Sequence, residues 1–148
     1  MFKHILLPTD GSELAQQAVL KGIEFARVIG ARVTACHVAS HNDLTRVYVG
    51  SGAVSPEIGA KIEKEFEGRV ETILRFAAAA AQKTGVPCAT RYVNSPDPFA
   101  AVIQTAEGEG CDLIFMASHG RRGMTALVLG SVTNKVLTHS KIPVMVCR

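Results

Sequence analysis

The sequence predicts an α/β fold, a three-layer α/β/α sandwich built on a five-stranded, mainly parallel sheet. Three observations carry this. Short apolar runs recur along the chain, helix-period stretches separate them, and Gly, Pro, Asp and Ser punctuate the junctions. The chain has 148 residues, the size of one domain, and a single domain over 1–148 is expected.

Ile5-Leu6-Leu7 reads as a buried strand, closed by Pro8-Thr9-Asp10-Gly11-Ser12. Leu14, Ala15, Ala18, Val19, Gly22, Ile23, Ala26 and Ile29 then follow helical spacing, and Gly30 is a fitting stop. Asp10 with Glu13 fits a capping box at the start of that helix. The second strand is Val33 to Val38. A polar, glycine-bearing segment from about Ala39 to Pro56 is the longest irregular stretch, with Val47-Tyr48-Val49 inside it. Ile62, Phe66, Val70, Ile73, Leu74, Ala77 and Ala81 mark the longest helix, ended by Gly85-Val86-Pro87. A third strand covers Ala89 to Val93. Ser95 as cap and Pro96 as first helical residue predict the next helix start, with Val102, Ile103 and Ala106 as its buried stripe. Asp112 to Ala117 is the fourth strand. Ser118 to Leu129 reads as a loop with one helical turn. A helix runs from Ser131 to His139, and the last strand is Ile142 to Cys147.

Composition narrows the function classes. Aromatics make up 5% of residues, tryptophan is absent, and the net charge is +3 with no block of basic residues. Neither a stacking platform nor an electrostatic footprint for nucleic acid is expected. No apolar run approaches the roughly 20 residues that span a bilayer. Four dispersed cysteines without a CxxC pair read as buried or half-buried free thiols, and the histidines have no zinc spacing. A cytoplasmic protein is the expectation.

In a parallel sheet of this kind, binding residues gather beyond the C-terminal ends of the strands. That places three segments together: Pro8 to Ser12, Val38 to about Tyr48, and Ala117 to Ser131. The third reads Ala117-Ser118-His119-Gly120-Arg121-Arg122-Gly123, six further residues, then Gly130-Ser131-Val132. Gly120 and Gly123 can take positive φ and let N–H groups converge into an anion nest. Gly130-Ser131 precedes a helix, whose first N–H groups are unpaired and lie at the positive end of the dipole. Two phosphate-binding devices thus flank one segment, with Arg121 and His119 near the same charge. The alternative reading, a turn followed by a helix cap, uses the same glycines. No P-loop lysine is present, and no nucleophile–base pair or acid/base pair is evident.

The opening Ile5 to Ser12, the late Ala117-Ser118-His119-Gly120, Leu129-Gly130-Ser131-Val132 and the ending Ile142-Pro143-Val144-Met145-Val146 together resemble the universal stress protein family of the nucleotide-binding kind, over essentially the whole length. The family motif is Gly, two residues, Gly, nine residues, then Gly followed by Ser or Thr. Gly120 and Gly130-Ser131 match it; Ala117 stands where the first glycine would be. The resemblance implies a Rossmann-like sheet of the adenine nucleotide alpha hydrolase-like type. It also implies an adenine nucleotide ligand (ATP, ADP or AMP, with or without Mg) and a homodimer paired through the last strand. By that resemblance Asp10 bonds the nucleoside, the backbone of Val38 reads the adenine edge, Pro8 and Thr9 line the mouth, and Ser131 and Val132 line the phosphate side. Met116 at the end of the fourth strand completes the set. Asp10 is expected away from the phosphates, because two anions repel unless a metal bridges them. The resulting expectation is a regulatory nucleotide binder rather than a turnover enzyme. The alternatives are a nucleotide-free dimeric interaction module and a slow ATP hydrolase or autophosphorylating protein.

Overall fold

The structure, a computed structural model, describes residues 1–39, 48–120 and 128–148. Its elements in chain order are β1 (His4–Pro8), α1 (Glu13–Ile29), β2 (Arg32–Ala39), α2 (Pro56–Thr84), β3 (Cys88–Asn94), α3 (Pro98–Gly108), β4 (Leu113–Ala117), α4 (Ser131–His139) and β5 (Val144–Cys147). The strands form one sheet in the order β3-β2-β1-β4-β5, and every pairing is parallel.

Strand alternation divides the apolar side chains between two layers. Ile5, Leu7, Val33, Ala35, Leu113 and Phe115 face α1 and α2. Leu6, Cys36, Ile114 and Met116 face α3 and α4. Both faces of the central strands are therefore buried, which is why those strands read as continuous apolar runs. Gly22 permits the closest approach of α1, since a Cβ there would lie 2.5 Å from Leu7 Cδ2 and 3.2 Å from Phe115 Cδ1. All four cysteines are free. Burial pushes the thiols of Cys36 and Cys111 up to about 11 and about 12, so both stay protonated and inert near neutral pH.

Two helix starts differ from the sequence reading. The cap of α1 is Ser12, whose Oγ accepts from Ala15 N–H, and not Asp10. Gly11 at φ +78° breaks the helical path between them, so Asp10 closes a local turn instead, its Oδ1 accepting from Ser12 N–H at 3.0 Å. The helix α3 begins at Pro98, two residues later than expected. A start at Pro96 would require helical geometry at Asp97, and the ring of Pro98 disfavours it there. The apolar stripe of α2 is also less buried than its periodicity suggests. Ile73, Ala77 and Ala81 are buried, whereas Ile58 and Ile62 on its N-terminal half are exposed. Among the described residues, no helix is long and apolar enough to cross a membrane.

Candidate functional site

β1 and β4 are adjacent in the sheet, but the chain leaves them towards opposite layers, β1 into α1 and β4 towards α4. Their C-terminal ends therefore diverge and leave a crevice between the two outgoing turns. Thr9 extends the β1–β2 ladder by one bond, Thr9 N–H to Cys36 O at 2.8 Å. Its hydroxyl accepts from Gly11 N–H at 3.2 Å, which fixes the turn that carries Asp10. Asp10 lies directly against the glycine segment. A Cβ on Gly120 would lie 2.5 Å from Asp10 Oδ2, so the carboxylate rests against the Gly120 backbone. Adjacency of β1 and β4 brings these residues together, although 110 positions separate them in the sequence.

The glycines act through space rather than handedness. Gly120 is not among the left-handed glycines, which are Gly11, Gly30, Gly52, Gly85 and Gly110 within the described residues. Gly130 has φ −57° and ψ 149°. Its N–H donates to Ser118 O at 2.8 Å, and a Cβ there would lie 3.1 Å from that oxygen and 3.3 Å from His119 Cα. Both obstacles are backbone, so neither can swing aside.

Gly130 is also the N-cap of α4, and with no side chain it leaves the helix start uncapped. The first turn closes through Asn134 N–H to Gly130 O, while the N–H groups of Ser131, Val132 and Thr133 precede any intrahelical acceptor. Thr133 Oγ1 donates to Ala117 O at 2.9 Å and pins this helix end to the tip of β4. His119 spans the base of the loop. Its Nδ1 pairs with Ser118 Oγ at 3.0 Å and its Nε2 with the Val128 carbonyl. Ser118 is 2% exposed, and its hydroxyl organises the turn.

Ala117 and Met116 are both buried, Ala117 facing α1 and Met116 facing α3 and α4. The Ala117 methyl thus packs into the core, and no non-glycine residue among those described has positive φ. The departure from glycine at this position costs no backbone strain. Val38 and Val132 pack partly against the α3 and α4 cluster. Arg121 and Gly123 lie outside the described residues, as do most of the helical turn expected between Ser118 and Leu129 and residues 40–47 of the irregular segment.

Beside the crevice, a cleft of about 260 Å³ is lined by Asp10, His37, Val38, Ala39, Phe66, Arg69, Val70 and Ile73. Sequence reasoning named only Asp10 and Val38 of these as site residues. The available signals were weak: a histidine ending an otherwise apolar strand, and Phe66 and Arg69 one helical turn apart. His37 Nδ1–H donates to Thr9 O at 2.8 Å, so β2 and the Asp10 turn are held in register by a side chain as well as by the sheet. The Tyr92 ring lies beside His37 with centroids 6.3 Å apart, and Phe66 meets Tyr92 edge-on at 6.0 Å. Cation-ligating groups of three or more His, Cys, Asp or Glu are absent among the described residues.

The sequence matches the universal stress protein family over residues 1–148. It is 32% identical over 148 residues to the Thermus aquaticus protein described as "Universal stress protein in QAH/OAS sulfhydrylase 3'region", with each chain covered in full. The solved structure of protein MJ0577, a universal stress protein of Methanocaldococcus jannaschii, superposes with a TM-score of 0.79 at 27% identity, over 99% of this chain and 95% of that one. A universal stress protein in complex with cAMP shares the fold with a TM-score of 0.71 at 20% identity, over 99% and 97% of the two chains. From its strand order to its closing strand, this chain belongs to the universal stress protein family.

Proposed function

We propose that this protein reversibly binds an adenine nucleotide, ATP, ADP or AMP, across the crevice between β1 and β4 and serves a regulatory role in stress response. The observation that carries the reading is the uncapped start of α4. Gly130 leaves its first N–H groups without a side-chain acceptor, at the positive end of the helix dipole and in backbone contact with the Ser118–Gly120 turn. Phosphate oxygens satisfy such donors. The adjoining cleft, about 260 Å³ with apolar Phe66, Val70 and Ile73 on the α2 side, has the size and character for a nucleoside. The same fold accommodates cAMP in a relative.

If Mg accompanies the nucleotide, Asp10 would share it with phosphate oxygens, an arrangement that needs only one protein carboxylate. Its position against Gly120 suits that role. Ser118 is buried and hydrogen-bonded to His119, which favours binding over turnover. The chain also pairs with a second copy through β5, which forms one edge of the sheet with Met145 exposed.

The decisive experiment is the nucleotide content of protein purified without added ligand, followed by titration with ATP with and without Mg. One adenine nucleotide per chain, or saturable binding of ATP, supports the reading. Absence of both overturns it in favour of a nucleotide-free interaction module. Steady-state hydrolysis near about 1 s⁻¹, abolished by a crevice mutation, would overturn the non-turnover part. A monomeric mass by light scattering would overturn pairing through β5.

A further inference from the structure

His37 is 7% exposed and lines the cleft to which Asp10 also belongs. Its two nitrogens are not equivalent. Nδ1 faces the Thr9 carbonyl at 2.8 Å, and a carbonyl can only accept, so Nδ1 carries the proton. In the neutral ring Nε2 is then a bare acceptor. Nε2 makes no hydrogen bond among the described residues. A side chain that is nine-tenths buried therefore offers an unused lone pair at a ligand-sized cleft. The Asp10 carboxylate, on the same cleft wall, is also an acceptor. Two neighbouring acceptors suit a ligand with two neighbouring donors, and a ribose cis-diol presents such a pair.

We propose that His37 is a specificity-determining residue that accepts a hydrogen bond from a ribose hydroxyl, so that with Asp10 it selects ribonucleotides over deoxyribonucleotides. This rests on the adenine nucleotide reading and extends it to the sugar. The apolar Val70 and Ile73 and the Phe66 ring remain for the base, while the phosphates lie towards Gly120 and α4. His37 so placed ties two tasks together. One nitrogen fixes the Asp10 turn, and the other reads the hydroxyl that this turn brings alongside.

The test compares the affinities of ATP, 2′-deoxy-ATP and 3′-deoxy-ATP for the wild type and for His37→Asn. Asparagine keeps an N–H near the Nδ1 position for Thr9 and removes Nε2. The wild type should bind ATP about threefold to tenfold more tightly than one of the two deoxy analogues, the range expected for a single neutral hydrogen bond. His37→Asn should lose that preference, keep the affinity for the deoxy analogue, and keep its melting temperature. Should the asparagine variant fail to fold, His37→Phe fills the ring volume without either nitrogen; because it also removes the bond to Thr9, only the ratio of ATP to deoxy-analogue affinity is read from it, and that preference should again be lost. Equal affinity of the wild type for all three nucleotides overturns the assignment, as does a preference that survives in the variant. Failure of the wild type to bind any of the three overturns the nucleotide reading together with this one.

Discussion

Two pairs of glycines at opposite ends of the sheet serve opposite purposes. At the N-terminal ends of the strands, Gly30 and Gly85 close α1 and α2 with φ +71° and +72°, and a Cβ on either would meet nothing within 4 Å. There glycine supplies a left-handed conformation. At the C-terminal ends, Gly120 and Gly130 lie outside the left-handed region, and a Cβ on either would strike Asp10 or the Ser118–His119 backbone. There glycine supplies room. The larger groove, about 320 Å³, is at the first end, bordered by Lys3, Arg27, Arg32 and the two helix stops. Its exposed helix ends are already closed: Gly30 N–H bonds to Ala26 O and Arg27 O, and Gly85 N–H to Ala81 O and Gln82 O. The uncapped α4 start lies at the other end. Unused backbone donors, rather than groove volume, distinguish the end at which we propose nucleotide binding.

This contrast can be broken most directly at Gly130. Gly130→Ala forces a methyl against two fixed backbone groups, so nucleotide affinity should fall roughly tenfold or more, the fold-change for about 1.4 kcal/mol. Overpacking should also cost about 1–3 kcal/mol of stability. Isothermal titration and thermal melting together read both effects, and unchanged affinity would remove the crevice from the binding site. At the opposite end, Asp112 accepts from Lys3 N–H at 2.9 Å and His4 N–H at 3.0 Å, joining the start of β1 to the start of β4. Asp112→Ala should cost about 1.5–3 kcal/mol in denaturant unfolding, the range for hydrogen bonds to a charged acceptor. Nucleotide affinity of the folded protein should stay the same.

Gly30→Ala tests handedness without crowding. It should destabilise by about 1–2 kcal/mol, the left-handed penalty for a residue with a Cβ, and leave binding untouched. The smallest expected effect is the pH dependence of stability. Burial above all, with the positive charge of Arg32 adding to it, holds the His4 imidazole below its ordinary value of 6.5. A depressed histidine favours the fold while neutral, so its contribution is complete above pH 6.5 and fades as pH falls through the folded value. For Asp112 burial is the largest influence and would raise the carboxyl. The backbone N–H groups of His4 and Lys3 lead the opposing influences that hold it below 3.8. Its contribution therefore persists to lower pH and is lost only as pH falls through the folded value. Melting curves should show a shallow decline below pH 6.5 and a second loss in strong acid. His4→Gln should remove the first alone.

Much of this architecture was legible because it rests on local physics. Continuous apolar runs such as Ile5-Leu6-Leu7 identified strands buried on both faces, and Gly30 and Gly85 announced helix ends through the conformation only they take cheaply. The glycine segment could be recognised because Gly120 and Gly130-Ser131 keep a fixed spacing along the chain. Errors arose where one local signal competed with another. Gly11 displaced the cap from Asp10 to Ser12, and Pro98 overruled Pro96.

By itself, then, the sequence determined the layered α/β class, the helix stops and the spacing of the glycine segment, all of them written in neighbouring residues. Only the tertiary structure decided that Asp10 rests against Gly120, that Gly130 is crowded by Ser118 and His119, that Ala117 points its methyl into the core, and that His37 and Asp10 line one cleft. Those relations join residues tens of positions apart through the placement of β1 between β2 and β4, and no local propensity encodes a distance across a sheet.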